Sequence, residues 1–254
     1  MSSEGNKPSI QLNEVSKVYG VRSKRTPALD SISLDVQRGQ FVCLVGASGC
    51  GKSTLLNLVA GLDTPTTGSV EVNGRTALMF QESALFPWLT AAGNIDLALR
   101  LRGVPKSERP ARVEELLHTV HLQGFAKKRP HELSGGMRQR VALARAFAQD
   151  ADILLMDEPF GALDAMTRDI LHDELEKLWR QRGFTVLFVT HNVREASRLG
   201  DRVLVLTSRP GKVAHEINVD IARPRRIEAP EVSSLSIEIT ARLREEVRRH
   251  ANDQ

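Results

Sequence analysis

At 254 residues the chain can bury a substantial core, as one large domain or as a core with an inserted subdomain. Its 41% hydrophobic and 26% charged residues exclude wholesale disorder. A balance of 35 basic to 31 acidic side chains leaves only +4, and the segment 220–254 carries seven Arg against seven acidic residues, so no basic tail asks for nucleic acid. Cys43 and Cys50 have no second cysteine pair, which argues against zinc and for reduced thiols. The opening MSSEGNKPSI lacks a signal pattern, and the most apolar runs (FVCLV, DILLM, TVLFV) are strand-sized. A soluble, intracellular protein is expected, with any membrane role exerted through a partner.

In chain order, IQLNEVSKVY and ISLDVQRGQFVCLVG alternate as strands do, and SVEVNGR carries an Asn73-Gly74 turn that predicts a hairpin. Short apolar strands then alternate with helices: FVCLV and a helix from Lys52, ALMF, DILLM and a helix over Asp164–Trp179, TVLFVT and a helix from Asn192. That order predicts a largely parallel sheet covered on both faces. Between ALMF and DILLM, Asn94–Leu101, Lys106–Val120 and Met137–Phe147 read as helices with no strand, an inserted helical subdomain. VLVLTSRPGKVAHEINV reads as a hairpin around Pro210-Gly211. In the tail, Leu235, Ile239, Leu243 and Val247 recur at steps of four, an amphipathic helix expected to pack on its own domain. The expected division is one domain over 1–254: an α/β core of 8–81 and 151–220, a helical subdomain of 82–150 and a helical tail of 221–254.

GASGCGKST, from Gly46 through Ala47, Ser48, Gly49, Cys50, Gly51, Lys52 and Ser53 to Thr54, is a complete Walker A match between a strand and a helix. Its glycines let the backbone wrap phosphates, and the helix start supplies amides. Lys52 is expected on the outer phosphates and Ser53 on Mg²⁺. In an open parallel sheet, ligands gather beyond the carboxyl ends of the strands. Those ends carry Gly46 after FVCLV, Gln81 after ALMF, Asp157-Glu158 after DILLM and His191 after TVLFVT. Asp157 suits the Mg²⁺ shell, because that ion takes hard oxygen ligands. Glu158 suits a general base within about 3 Å of an attacking water. Gln81 can sense both metal and water, and His191 can bond the γ-phosphate. Singly, a His or Gln after a strand is ordinary; jointly and in this order they outline a phosphoryl-transfer site.

LSGGMRQR repeats the same device in the helical region: Ser134 can cap a helix, Gly135 and Gly136 allow close approach of an oxyanion, and the helix dipole favours negative charge. Alone it is an ordinary cap. Beside a complete phosphate loop elsewhere, it predicts that the turn of one chain completes the site of a second copy, with two-fold symmetry and nucleotide as the glue.

GASGCGKST, LSGGMRQR, ILLMDEP, Ala162-Leu163-Asp164 and His191 resemble, in this order and over nearly the whole chain, the ATP-binding-cassette (ABC) ATPases. The resemblance implies an α/β P-loop NTPase core with a mostly parallel sheet, an N-terminal antiparallel β region and an inserted helical subdomain. It implies a head-to-tail homodimer hydrolysing ATP with Mg²⁺ and coupled to two membrane-spanning permease subunits. Tyr19, the only tyrosine, resembles the aromatic that stacks on adenine, and it reads equally as a half-buried strand residue. Gln81 resembles the link to the helical subdomain and a Mg²⁺ ligand beside Ser53 and Asp157. Ser134, Gly135, Gly136 and Gln139 resemble the signature on the partner's ATP, and Asp164 the inter-subunit contact.

QESALFPWLTAAGNI, MDEPFGALDAMTR, FVTHNVREASRLGDRVLVL and SRPGKV resemble the importers of nitrate, sulfonates and taurine. That implies a peripheral protein on the cytoplasmic side of the membrane, served by a periplasmic or lipid-anchored solute-binding protein. Aliphatic sulfonates are the expected solute, with nitrate or taurine as alternatives and a soluble, non-transport ABC ATPase as a further one. By the same resemblance Pro87-Trp88 lies near the groove for a permease helix, while Trp88 alone reads as core.

Overall fold

The computed structural model describes residues 7–20 and 25–252, with the side chains of 250–252 left aside. The absent signal pattern read from MSSEGN lies outside the described residues. The chain divides into two compact units, 1–75 with 183–254, and 76–182.

In the first unit β1 (Ile10–Tyr19) lies between β2 (Thr26–Val36) and β4 (Thr67–Val72) in a three-stranded antiparallel sheet. Its alternation changes phase: Ile10 and Leu12 are buried, and then Val15. A bulge accounts for the extra residue, with Glu14 at φ 50 where the β1–β2 register shifts. The other strands run in the order β7 (Thr185–Val189), β3 (Phe41–Val45), β8 (Arg202–Leu206) and β9 (Val213–Asn218), with β3 parallel to both neighbours and β9 antiparallel to β8. Every residue of FVCLV and TVLFV is buried, as unbroken apolar runs require when a strand is covered on both faces. Phe41 and Phe188 meet across the β3–β7 pair with centroids 5.8 Å apart; burying each ring contributes about 2–3 kcal/mol.

Among the described residues, this unit also holds the helices α1 (Lys52–Val59), α6 (Val193–Leu199) and α7 (Pro230–Asn252). The last packs on α6 and β8, with Ser236 Oγ donating to Ser197 Oγ at 3.0 Å. Its buried line is Val232, Ser236, Ile239 and Glu246, with Leu235 and Leu243 half-buried and Val247 44% exposed. The expected stripe thus ends early: steps of four advance about 400° on a helix of 3.6 residues per turn, so the line drifts about 40° each step toward solvent.

The second unit pairs β5 (Thr76–Met79) in parallel with β6 (Ile153–Asp157). Around them are α2 (Ala91–Leu101), α3 (Arg109–Thr119), α4 (Gly135–Ala148) and α5 (Ala165–Arg182). Thr90 caps α2, its hydroxyl accepting from Gly93 N at 3.0 Å. The parallel strands, the antiparallel N-terminal sheet and the helical segment between β5 and β6 bear out the expected fold class. The hairpin expected at Asn73-Gly74 is not formed: β4 pairs with β1, and β5 with β6. Asn73 is spent on anchorage instead, donating from its backbone to Ser9 O at 2.9 Å and from Nδ2 to Pro8 O at 2.8 Å. With its side chain so engaged, the pair leads onward rather than back.

Candidate functional site

In the first unit α1 opens on Gly51 at φ 99, and no side chain caps it, so its first amides stand bare. No other residue fits there: a Cβ at position 51 would lie 2.6 Å from Ala28 O and from Leu29 Cδ2. Ser48, Gly49 and Ser53 are exposed, Ala47, Gly51 and Thr54 half-buried, and Gly46, Cys50 and Lys52 buried. Lys52, only 7% exposed, donates Nζ to Gly46 O at 2.9 Å and Ala47 O at 2.8 Å, with Cys50 Sγ at 3.7 Å. Neutral carbonyls compensate a buried ammonium poorly, so the loop is prepared for an anion. Burial pushes up the thiols of Cys43 and Cys50.

The parallel register pairs Leu44 with Val189, so Gly46 and His191, each two residues further on, share one sheet edge. His191 is exposed and follows a link fixed on both sides. Thr190 Oγ1 donates to Glu195 Oε2 at 2.7 Å and accepts from Asn192 N at 2.9 Å, while Asn192 caps α6. Tyr19, at the end of β1, is 42% exposed, and its hydroxyl donates to Asp63 Oδ2 at 2.9 Å. Lys17 Nζ lies 5.0 Å from the ring centroid and bonds Asp63 Oδ1 at 2.5 Å. That lysine bond, above all, holds the Asp63 carboxyl below its usual range.

In the second unit β5 and β6 repeat the arrangement: Met79 pairs with Met156, so Gln81 and Glu158 share an edge, with Asp157 closing β6. Gln81 Nε2 donates to Glu158 Oε2 at 3.3 Å. Glu158 has φ 47, a backbone state that costs a non-glycine residue on the order of 1–3 kcal/mol and gathers at functional positions. Ser53, Asp157 and Gln81 each carry an oxygen donor of the hard type that suits Mg²⁺.

Ser134 caps α4, accepting from Met137 N at 3.2 Å, and is exposed together with Gly135. A Cβ on Gly136 would lie 3.1 Å from Leu163 Cδ2. Gln139, expected with Ser134, Gly135 and Gly136 on a partner's nucleotide, is buried in the single chain and donates Nε2 to Gln81 O at 3.4 Å. Asp164 is exposed, and bonds from Thr167, the backbone N–H first among them, hold its carboxyl below the usual range.

Two residues that the sequence reading missed shape the segment after Gln81. Arg145 donates to Ala84 O at 2.7 Å and Ser83 O at 3.0 Å, and burial lowers its pKa. Asn94, fully buried, accepts from Phe86 N at 2.8 Å and donates to Thr90 O at 3.0 Å. A polar residue inside an apolar helix face was the available signal; the loop it fastens was not. Trp88 is 68% exposed and meets Phe86 in a tilted contact with ring centroids 5.4 Å apart, so its reading as core is overturned. A groove of about 610 Å³ nearby in sequence is lined by Asp96, Val113, Glu114, Leu117 and His118 of α2 and α3.

A family model described as ABC transporter matches residues 29–161. The aliphatic sulfonates import ATP-binding protein SsuB of Bacillus licheniformis is 45% identical over 87% of this chain and 88% of its own. The taurine import ATP-binding protein TauB of Mesorhizobium japonicum is 47% identical over 85% and 86%. The nitrate import ATP-binding protein NrtD of Synechocystis is 42% identical over 84% and 83%. Among solved structures, a dimeric post-hydrolysis state of the ATP-binding cassette MJ0796 bound to ADP and Pi superposes with a TM-score of 0.77 at 34% identity, covering 84% of this chain and all of that one. With the phosphate loop, the capped Ser134 turn and the Asp157-Glu158 strand end in place, the chain belongs to the ABC transporter family as one of its ATP-binding cassettes.

Proposed function

We propose that this cassette is the ATP-hydrolysing subunit of an importer. It works as a homodimer beneath two permease subunits, peripheral to the cytoplasmic face of the membrane. The observation that carries the reading is the buried Lys52 ammonium beside the bare amides of α1. Lys52 exchanges the carbonyls of Gly46 and Ala47 for β- and γ-phosphate oxygens, while the loop amides take the β-phosphate. Ser53, Asp157 and Gln81 would hold Mg²⁺, which would supply positive charge against the charge of the triphosphate. Glu158 accepts the proton of a water whose oxygen attacks the γ-phosphorus, and ADP leaves with the bridging oxygen. Gln81 orients that carboxylate, and His191 donates to the γ-phosphate. Tyr19 offers a ring face to adenine. Ser134, Gly135 and Gly136 of a second copy close over the same triphosphate, and Asp164 meets that copy.

The exposed Phe86–Trp88 pair and the α2–α3 groove support a permease contact. The relatives' names support import of a small oxyanion-type solute, which a solute-binding protein would deliver; aliphatic sulfonates come first, then taurine or nitrate. Mutation of Glu158→Gln tests the chemistry. ATP binding and dimerisation should persist while turnover falls by about 10²–10⁴; near-normal turnover would remove Glu158 from the role. Affinity capture from detergent-solubilised membranes should recover the permease. Screening alkanesulfonates, taurine and nitrate against the cognate binding protein should favour the first.

A further inference from the structure

The turn between β8 and β9, residues 207–212, has no part in the site as described so far. It is closed tightly on itself: Thr207 Oγ1 donates to Pro210 O at 2.8 Å and accepts from Lys212 N at 2.8 Å. It is also fastened to β2. Gly211 N donates to Ala28 O at 2.9 Å, Asp30 N donates to Gly211 O at 3.0 Å, and Lys212 Nζ lies 2.7 Å from Asp30 Oδ2. From that anchorage the turn meets the phosphate loop twice. Gly211 is buried against Cys50 so closely that a Cβ there would lie 2.1 Å from the Cys50 carbonyl oxygen. Arg209, exposed, directs Nε to the Gly49 carbonyl at 3.4 Å.

We propose that Arg209 and Gly211 are positioning residues for nucleotide binding, and that their turn braces the Gly49–Gly51 backbone in the form that receives the β-phosphate. The inference rests on the reading of Gly46–Thr54 as the triphosphate loop. Across a planar trans peptide the C=O and N–H point in opposite directions. A guanidinium that holds the Gly49 carbonyl on the outer side therefore directs the Cys50 N–H to the other. That N–H now makes only a long contact of 3.4 Å to Ala47 O, readily exchanged for a phosphate oxygen. Gly49 at φ 76 and Gly51 at φ 99 give the loop wide conformational freedom. Without a brace, that freedom would have to be surrendered on binding. Arg209 itself touches no phosphate; it acts through Gly49.

The test uses the full chain and equilibrium binding of ADP and ATP. Arg209→Ala should raise Kd for both about 3- to 10-fold. KM for ATP should rise with it, kcat should hold within about twofold, and the melting temperature without nucleotide should stay at the wild-type value. Arg209→Lys, which keeps a charged donor, should recover most of the affinity. Gly211→Ala should weaken binding further; because it alters a buried contact, the exposed Arg209 variants decide the matter. Wild-type affinity in Arg209→Ala, or a melting temperature that falls in step with affinity, would overturn the brace. Failure of the wild-type chain to bind ADP would instead overturn the reading of the loop.

Discussion

The helices α1 and α4 both open on glycine-bearing turns, yet they start differently. Gly51 leaves the first amides of α1 without a side-chain cap, and a buried lysine stands beside them. Ser134 caps α4 with its own hydroxyl and stands exposed beside Gly135, with no lysine in its turn. The first start is organised to hold an anion alone. The second has one amide already satisfied, and the cation in its turn, the Arg138 guanidinium, is engaged by Leu133 O at 2.6 Å, so it suits an anion brought to it on another surface. On the proposed function, the same grammar of glycine before helix gives a binding site in one place and a docking surface in the other.

Lys52→Ala breaks the first half of that contrast and should have the largest effect. Removal of the cation should lower ATP turnover by more than about 100-fold, measured as phosphate release. Nucleotide-dependent dimerisation should vanish with it. Ser134→Arg tests the second half. A single chain should bind ATP within about twofold of wild type, since α1 is untouched, while ATP-dependent dimers disappear in light scattering. Dimers at wild-type yield would end the claim that α4 is a docking surface.

The short contiguous motifs were legible in the sequence because a phosphate loop must be built from neighbouring residues, and a strand end announces itself by a change from apolar to charged. GASGCGKST and MDE are both of that kind. What stayed hidden depends on residues far apart. Asn73-Gly74 looks like a turn until Ser9 and Pro8 take up the bonding groups of Asn73. Trp88 reads as core by composition and lies at the surface, on a segment that Asn94 and Arg145 fold from other helices. Gln139 shares a motif with Ser134, yet in the single chain it is buried and bonds Gln81 O. The part played by Arg209 has no local signal at all, since its partner Gly49 is 160 residues away.

Smaller effects sharpen the contrast by showing what supports each start. Asn94→Ala leaves the backbone N–H of Phe86 without its acceptor and should cost about 1–3 kcal/mol, seen as a lower melting temperature with unchanged ADP affinity. Asp63→Asn removes the carboxylate charge and one of the two acceptor oxygens shared by Tyr19 and Lys17, and KM for ATP should rise about two- to threefold. Asp63 has a folded pKa below its unfolded value, so its contribution is present above the unfolded pKa and fades as pH falls through the folded one. The variant should therefore resemble wild type most closely at the acid end of the profile.

The most direct measurement is a cryo-microscopy map of the Glu158→Gln chain loaded with Mg-ATP. Two copies should enclose two nucleotides, the α1 loop of each holding a triphosphate against Ser134, Gly135 and Gly136 of the other. A map showing ATP on the α1 loop of a single copy, with those three residues facing solvent, would contradict the account.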